Sequence, residues 1–256
     1  MMCVFSVRNN ESKLLASSLW QLVKLPLLLF CLICNNDINA AAPNRAFPII
    51  PSPPKSSTFW VAQYIEQNTI PMQIKSFESQ LNNADVVRFY EEWFSKRLDY
   101  SKKEFGNDLL ISAKVGVYRL TANIKSAKIG TSTVGTLTAA AVYEGENDVE
   151  RRVALVGKGF PSPTGTEVLS ESVSYDPGTR NRTIVMTNQL SIETNALYMR
   201  EQMIKLKWTL DHDQTVKGGE NSLLTFRKAD SQMMVSIVKN MNSPKTWIIS
   251  SQTDAD

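Results

Sequence analysis

Two stretches of this chain, on either side of the proline- and glycine-rich segment Gly157–Gly165, follow the same order of residue patterns, and this repetition constrains the fold more than any other feature. Asn107–Lys114 aligns with Asn221–Lys228 without a gap, and the same offset carries Arg119–Lys125 onto Met233–Lys239. Other offsets align Leu81-Asn82 with Leu190-Ser191 and Thr136-Leu137-Thr138 with Thr246-Trp247-Ile248, each change falling where a loop tolerates a change in length.

The second stretch reads as strand Thr166–Ser174, a turn at Asp176-Pro177-Gly178 and a β-branched strand Thr183–Thr187. Ser191 has the hydroxyl needed to cap a helix over Ile192–Lys207. After the Lys217-Gly218-Gly219 loop come strands near Leu223–Arg227, Met233–Lys239 and Thr246–Ser250. The first stretch gives strands Phe59–Ile65 and Met72–Glu78, Asn82 as cap, a helix over 83–98, then strands Leu109–Lys114, Val117–Lys125 and Gly135–Tyr143. The expected fold class is α+β: two tandem similar modules in ββαβββ order, each a mostly antiparallel sheet with one helix packed on it. The expected boundaries are 58–145 for module 1, 146–165 for the inter-module linker and 166–256 for module 2.

Helical spacing places Val87, Tyr90, Phe94 and Leu98 on one stripe, and Ala196, Met199, Met203 and Leu206 on the corresponding stripe of the second helix. Phe89 and Trp93 lie on one shoulder of the first helix, and Leu197 and Ile204 on the opposite shoulder of the second. A wide core-facing surface explains these, and contact between the two modules or with another protein is the sharper alternative.

The N-terminus reads as an address. Leu25–Cys34 is an uncharged apolar run preceded by Lys24, too short at about 1.5 Å per residue to cross a hydrocarbon layer about 30 Å thick. Small residues follow at Ala40–Ala42, so residues 1–40 are expected to be a secretory signal peptide cut near Ala40. An uncleaved anchor over Leu14–Cys34 would put Lys24 in the bilayer, and Phe30 and Ile33 before Cys31 and Cys34 argue against a lipid-attachment site. The long segment before the run, with Arg8, Glu11, Lys13 and Lys24, weighs for a start codon downstream of Met1. Residues 41–57, with five prolines, read as an extended linker.

The only three cysteines are Cys3, Cys31 and Cys34, so removal of the signal leaves a chain with nothing to oxidise. Thiolate zinc sites, iron–sulfur clusters, disulfide frameworks and a cysteine nucleophile are thereby excluded downstream. A bacterial periplasmic or secreted location is expected. Asn181-Arg182-Thr183 fits the N-glycosylation sequon but reads better as part of a strand. With 28 Lys+Arg against 25 Asp+Glu, the charge balance gives no reason to expect a nucleic-acid partner.

No constellation points to catalysis. The single histidine, His212, lies between Asp211 and Asp213, but neighbours on an extended chain point in alternate directions and do not converge on one ion, so a solvated polar loop is expected there. There is no HExxH and no Gly-x-Ser-x-Gly elbow. Gly157-Lys158-Gly159 lacks the spacing of a P-loop, and Gly130–Gly135 reads as a loop between strands. Glu91, Glu92 and Asp99 are placed to solvate the first helix, not to face one another across a substrate. Trp60, Trp93, Trp208 and Trp247, with Tyr64, Tyr100 and Tyr118, are more economically core residues than stacking platforms. No catalytic, cofactor-binding or metal residue is therefore assigned, and no cofactor. The expected function is a non-catalytic exported protein acting as a protein-interaction or assembly module with envelope partners. The alternatives are a periplasmic small-molecule or glycan binder using Trp93 or Trp247 and, behind it, a hydrolase using His212.

Overall fold

The computed structural model describes residues 46–106, 108–126, 132–142, 146–176, 178–215, 219–240 and 243–255. The expected signal peptide, the cysteines and the cleavage position near Ala40 lie outside the described residues.

The first half runs β1 (Ser56–Gln67), β2 (Ile70–Ser79), α1 (Asn83–Phe94), β3 (Leu98–Phe105), β4 (Asp108–Val115), β5 (Tyr118–Ser126) and β6 (Thr133–Ala141). A short helix, α2 (Glu146–Val153), leads into the second half. That half runs β7 (Glu167–Asp176), β8 (Thr179–Asn188), α3 (Ile192–Lys205), β9 (Thr209–Thr215), β10 (Asn221–Lys228), β11 (Ser231–Lys239) and β12 (Thr246–Ala255). All twelve strands join in one antiparallel sheet, ordered β3-β4-β5-β6-β2-β1-β7-β8-β12-β11-β10-β9.

The expectation of two tandem α+β modules in ββαβββ order is therefore corrected. The chain is mostly β, and a single sheet runs through both halves because β1 pairs with β7. α1 and α3 are also each followed closely by a strand the sequence pattern did not reveal. β3 reads Leu-Asp-Tyr-Ser-Lys-Lys-Glu-Phe and β9 reads Thr-Leu-Asp-His-Asp-Gln-Thr. These are the two outer edges of the sheet, where charge discourages pairing with other chains, so neither carries the alternation of a half-buried strand.

The aligned offsets also need correction, by one residue. Inward-facing Ile111 and Ala113 on β4 correspond to Leu224 and Phe226 on β10, and Leu120, Ala122 and Ile124 on β5 to Met233, Val235 and Ile237 on β11. Matching Leu110 to Leu224, as the sequence alignment does, sets an outward residue on an inward one. A one-residue slip in a strand exchanges its two faces.

Each half has its own core on the helix-bearing face. The first gathers Phe77, Tyr90, Phe94, Ile111, Leu120, Ile124 and Leu137, and the second Met186, Met199, Met203, Trp208, Leu224, Phe226 and Val235. Burial pushes the Tyr90 phenol far above its usual range, so it stays neutral. The proline-rich stretch is not a free tether from residue 46 on: Ile50 is buried in the first core, and Tyr90 Oη donates to the Pro51 carbonyl at 3.2 Å. Gly135 stands inside β6, not in a loop; a Cβ there would lie 2.3 Å from the Asn123 carbonyl oxygen and 2.6 Å from the Phe77 ring. Only hydrogen at that position leaves room for Phe77.

The helix starts follow from their caps. Asn82 Oδ1 accepts from the Asp85 N–H at 2.9 Å, and Ser191 Oγ from the Thr194 N–H at 3.1 Å. Replacing Ser191 with alanine is expected to lower unfolding free energy by about 1 kcal/mol, read from urea denaturation. α1 buries Val86, Tyr90 and Phe94; Val87 sits at the shoulder, and Leu98, expected on the stripe, lies past the helix on β3 at 76% exposed.

At the far end of β12, Asp254 accepts from Gln252 Nε2 at 2.7 Å and from Arg180 Nη1 at 3.1 Å. Burial pushes its carboxyl up, but hydrogen bonds from Gln252, Ser231 and Arg180 outweigh burial and hold it below the usual carboxylate range. A depressed folded-state value contributes stability that is present above the unfolded value of about 3.9 and is lost as pH falls through the folded one. Asp254→Asn is expected to flatten the acid limb of thermal stability below about pH 5.

Candidate functional site

β1 lies in the middle of the sheet, yet much of one side has no neighbour. β2 covers its other edge from Ser56 to Gln67, whereas β7 pairs only with Ile65–Gln67. Continued two steps, that register sets Gln63 against Asp176, where β7 ends in a turn with Gly178 at φ 75°. Among the described residues, Ser56–Ala62 therefore has no strand partner on the β7 side. The two central hairpins overlap only at their tips.

The composition of this stretch makes the gap chemically significant. Ser-Ser-Thr-Phe-Trp-Val-Ala carries no charge, and Phe59, Trp60 and Val61 are 61, 44 and 48% exposed. Outer edges β3 and β9 are blunted with Lys102, Lys103 and Glu104, and with Asp211, His212 and Asp213. The inner edge has no such protection except irregularity: the β1–β2 register shifts between Trp60 and Ala62 and again before Ile65. Lys75 Nζ sits 4.3 Å from the Trp60 ring centroid, holding the indole on the helix-bearing face, while Phe59 takes the opposite face beside Ser76. Covering one such exposed large side chain is worth about 1.5–3 kcal/mol. At the start of the edge, an open cavity of about 610 Å³ is lined by hydroxyl-bearing Ser52, Ser56, Ser57, Ser79 and Ser132, with Lys55 and Glu78.

A polar hub holds the hairpin tips together. Asn68 N–H donates to the Glu171 carbonyl, and the Glu171 N–H to Asn68 Oδ1, each at 2.8 Å. The Glu171 carboxylate accepts from Arg182 Nε and from the Gly157 N–H, both at 2.6 Å. Arg182 Nη2 then reaches the Lys158 carbonyl, and Arg152 Nη1 the Thr69 carbonyl. Gly157 and Lys158, which superficially resembled a phosphate loop, here tie the connecting segment to the junction.

The other residues singled out from sequence stay apart. His212 is exposed on β9 opposite Thr225, while Asp211 pairs with Arg227 at 3.3 Å and Asp213 with Arg200 at 2.8 Å. Among the described residues no group of three or more His, Cys, Asp or Glu side chains is placed to hold a metal ion. Trp93 stacks under the Arg97 guanidinium and packs against the first core, Trp208 is buried in the second, and Trp247 is half-buried on β12. Neither Trp93 nor Trp247 lines the serine-rich cavity or the smaller one, about 290 Å³, beside Glu171 and Arg182. Tyr64 is buried and donates to Glu66 at 2.7 Å, Tyr118 donates to the Ala46 carbonyl at 3.1 Å, and Tyr100 lies on edge strand β3. Glu91 pairs with Lys102 across α1 and β3 at 2.6 Å, and Asp99 lies 3.7 Å from Arg119. Leu197 and Ile204 are exposed on α3, at 52 and 55%. Trp60 was singled out as an aromatic; what went unread was the edge it stands on.

No family model matches the chain, and no curated protein matches it. Among solved structures it is similar to the apo form of TplEi, an immunity protein of the type VI secretion system from Pseudomonas aeruginosa, at 11% identity over 80% of this chain and 84% of that one, with a TM-score of 0.30. The same protein complexed with an "L" peptide gives 12% identity, coverage of 80 and 83% and a TM-score of 0.28. A chain of the Tle4–Tli4 complex gives 12%, 80 and 82%, and 0.30. At this level of likeness neither fold nor partner carries over to this chain. No helix among the described residues is long and apolar enough to cross a membrane.

Proposed function

We propose that this protein is a non-catalytic interaction module, exported to the bacterial envelope or beyond it, which takes an extended polypeptide segment onto the open edge of β1. The observation that carries the reading is the combination at Ser56–Ala62 of a strand edge without a neighbour and an uncharged surface with Phe59, Trp60 and Val61 exposed. Alternate residues of such an edge direct N–H and C=O groups outward, and an added strand satisfies them in a ladder while its side chains meet both faces. Export rests on the basic flank, apolar run and small-residue exit of residues 1–40. N-terminal sequencing of the protein from the periplasm of expressing cells is expected to begin near Ala41.

Amide hydrogen exchange tests the binding site. At high dilution, peptides covering 56–62 should exchange much faster than those covering β2, and should slow when a binding polypeptide from a displayed peptide library is added. Protection of 56–62 at every dilution, or binding that leaves these amides untouched, overturns the reading.

A further inference from the structure

We infer that the occupant of the open β1 edge is a second copy of this chain, joined β1 to β1 about a two-fold axis at Phe59; the inference rests on β1 being the binding edge.

The length of the gap supplies the first argument. The stretch without a neighbour runs from Ser56 to Ala62, and its midpoint is Phe59. An antiparallel strand paired with its own copy is self-complementary, so one register uses the whole stretch. It sets Phe59 opposite Phe59 of the second copy and Thr58 opposite Trp60, with the β1 irregularity between Trp60 and Ala62 facing Ser57 and Ser56. An aromatic pair then occupies the centre, and no two like charges face each other because the stretch has none.

The ends of the gap fit a strand of that length. On one side the last β1–β7 pair is Ile65 with Ser174, and β7 ends at Asp176, which the same register sets opposite Gln63. On the other, the chain turns away at Lys55, whose φ is 52°; its carbonyl accepts from the Gln80 N–H at 3.0 Å, and the Pro54 carbonyl from Ser79 Oγ at 2.9 Å. Residues before Ser56 thus cross toward the end of β2 and leave the strand row clear. The two-fold arrangement brings exposed Lys55 of each copy to the β7–β8 tip of the other, beside exposed Asp176. Two opposite-charge contacts frame an uncharged centre, a pattern that favours this register over slipped ones.

Sedimentation equilibrium of the purified protein tests the inference. A dimer is expected, and Phe59→Lys, which sets two ammonium groups face to face at the axis, should raise its dissociation constant tenfold or more. Phe59 is 61% exposed, so the core survives the change. Under mild oxidation Phe59→Cys should form an interchain disulfide well beyond that of the unsubstituted protein, because directly opposed residues lie within disulfide reach. Val61→Cys should not, its counterpart being displaced by about 13 Å along the strand. A monomer up to about 0.1 mM, or equal cross-linking at 59 and 61, overturns the inference. A monomer in which a foreign polypeptide slows exchange at 56–62 removes the second copy but leaves β1 as the binding edge. A monomer with 56–62 protected at every dilution removes both.

Discussion

Glu171→Ala is expected to cost about 3 kcal/mol and to weaken the cooperativity of unfolding, because its carboxylate fixes Arg182 and the connecting segment at Gly157 beside the Asn68 and Thr69 bonds that join the two halves. The Glu171 and Arg182 side chains are only 10 and 17% exposed, so screening by water is slight and the guanidinium is left partly buried without its partner. The Gly157 N–H loses its acceptor at the same time. Direct strand pairing between the halves spans only Ile65–Gln67 with Ser172–Ser174, and each half has a separate core. Loosening the hub should therefore let one half melt before the other, and the urea transition should broaden or split. Glu171→Gln, which keeps an acceptor for Arg182, should cost roughly 1 kcal/mol. A single sharp transition at the wild-type midpoint for Glu171→Ala would show that the halves are held by something else.

The second large effect is expected at Asn195, which is fully buried on α3. Its Oδ1 accepts from Asn188 Nδ2 at 2.7 Å, while its Nδ2 donates to Asn188 Oδ1 and the Ser191 carbonyl, each at 3.0 Å, and to the Leu190 carbonyl at 3.3 Å. Asn188 is itself 3% exposed and accepts from the Leu190 N–H. The pair thus fixes the path from β8 into the helix, and Thr246 adds a hydroxyl bond to the Leu190 carbonyl. Asn195→Ala removes these four side-chain bonds, leaves Asn188, Leu190 and Ser191 each with fewer partners in a buried place, and opens a void, at an expected cost of about 3 kcal/mol. Asn195→Leu should do no better, since an apolar side chain pressed against the buried Asn188 amide replaces none of the bonds lost. Thermal and urea midpoints that match wild type for both variants would refute this account.

The first half makes the same turn with smaller groups. Ser79 Oγ accepts from the Leu81 N–H, and Thr133 Oγ1 donates to the Leu81 carbonyl, as Asn188 and Thr246 do around Leu190. The aligned pair Leu81-Asn82 and Leu190-Ser191 was legible because a cap leaves a local mark: a short polar side chain before an apolar-periodic run. Thr133 answers to Thr246, however, and the sequence alignment instead chose Thr136. Little distinguishes three nearby threonine and β-branched positions until the register of β6 on β2 is known.

Strands with one buried face were readable for the same local reason. β5 alternates apolar and polar residues, and β11 does so in part, because every second side chain enters a core. β3 and β9 were not readable, since an outer strand bears charge for reasons that concern other chains. The candidate site was hidden in a related way. Phe59-Trp60-Val61 looks like any strand destined for burial, and only the place where β7 stops shows that it is left uncovered.

What sequence alone determined here is everything that one short window can encode: where helices begin, which stretches extend, which half of each extended stretch avoids water. Which edges are paired was decided only by tertiary structure. A ladder of main-chain hydrogen bonds depends on the register between segments about a hundred residues apart, as for Gln67 and Ser172, and main-chain groups are alike in every residue. The halves meet through three strand pairs and the hydrogen bonds of Asn68 to Glu171 and of Arg152 to Thr69, and among the described residues that meeting leaves seven residues of β1 open.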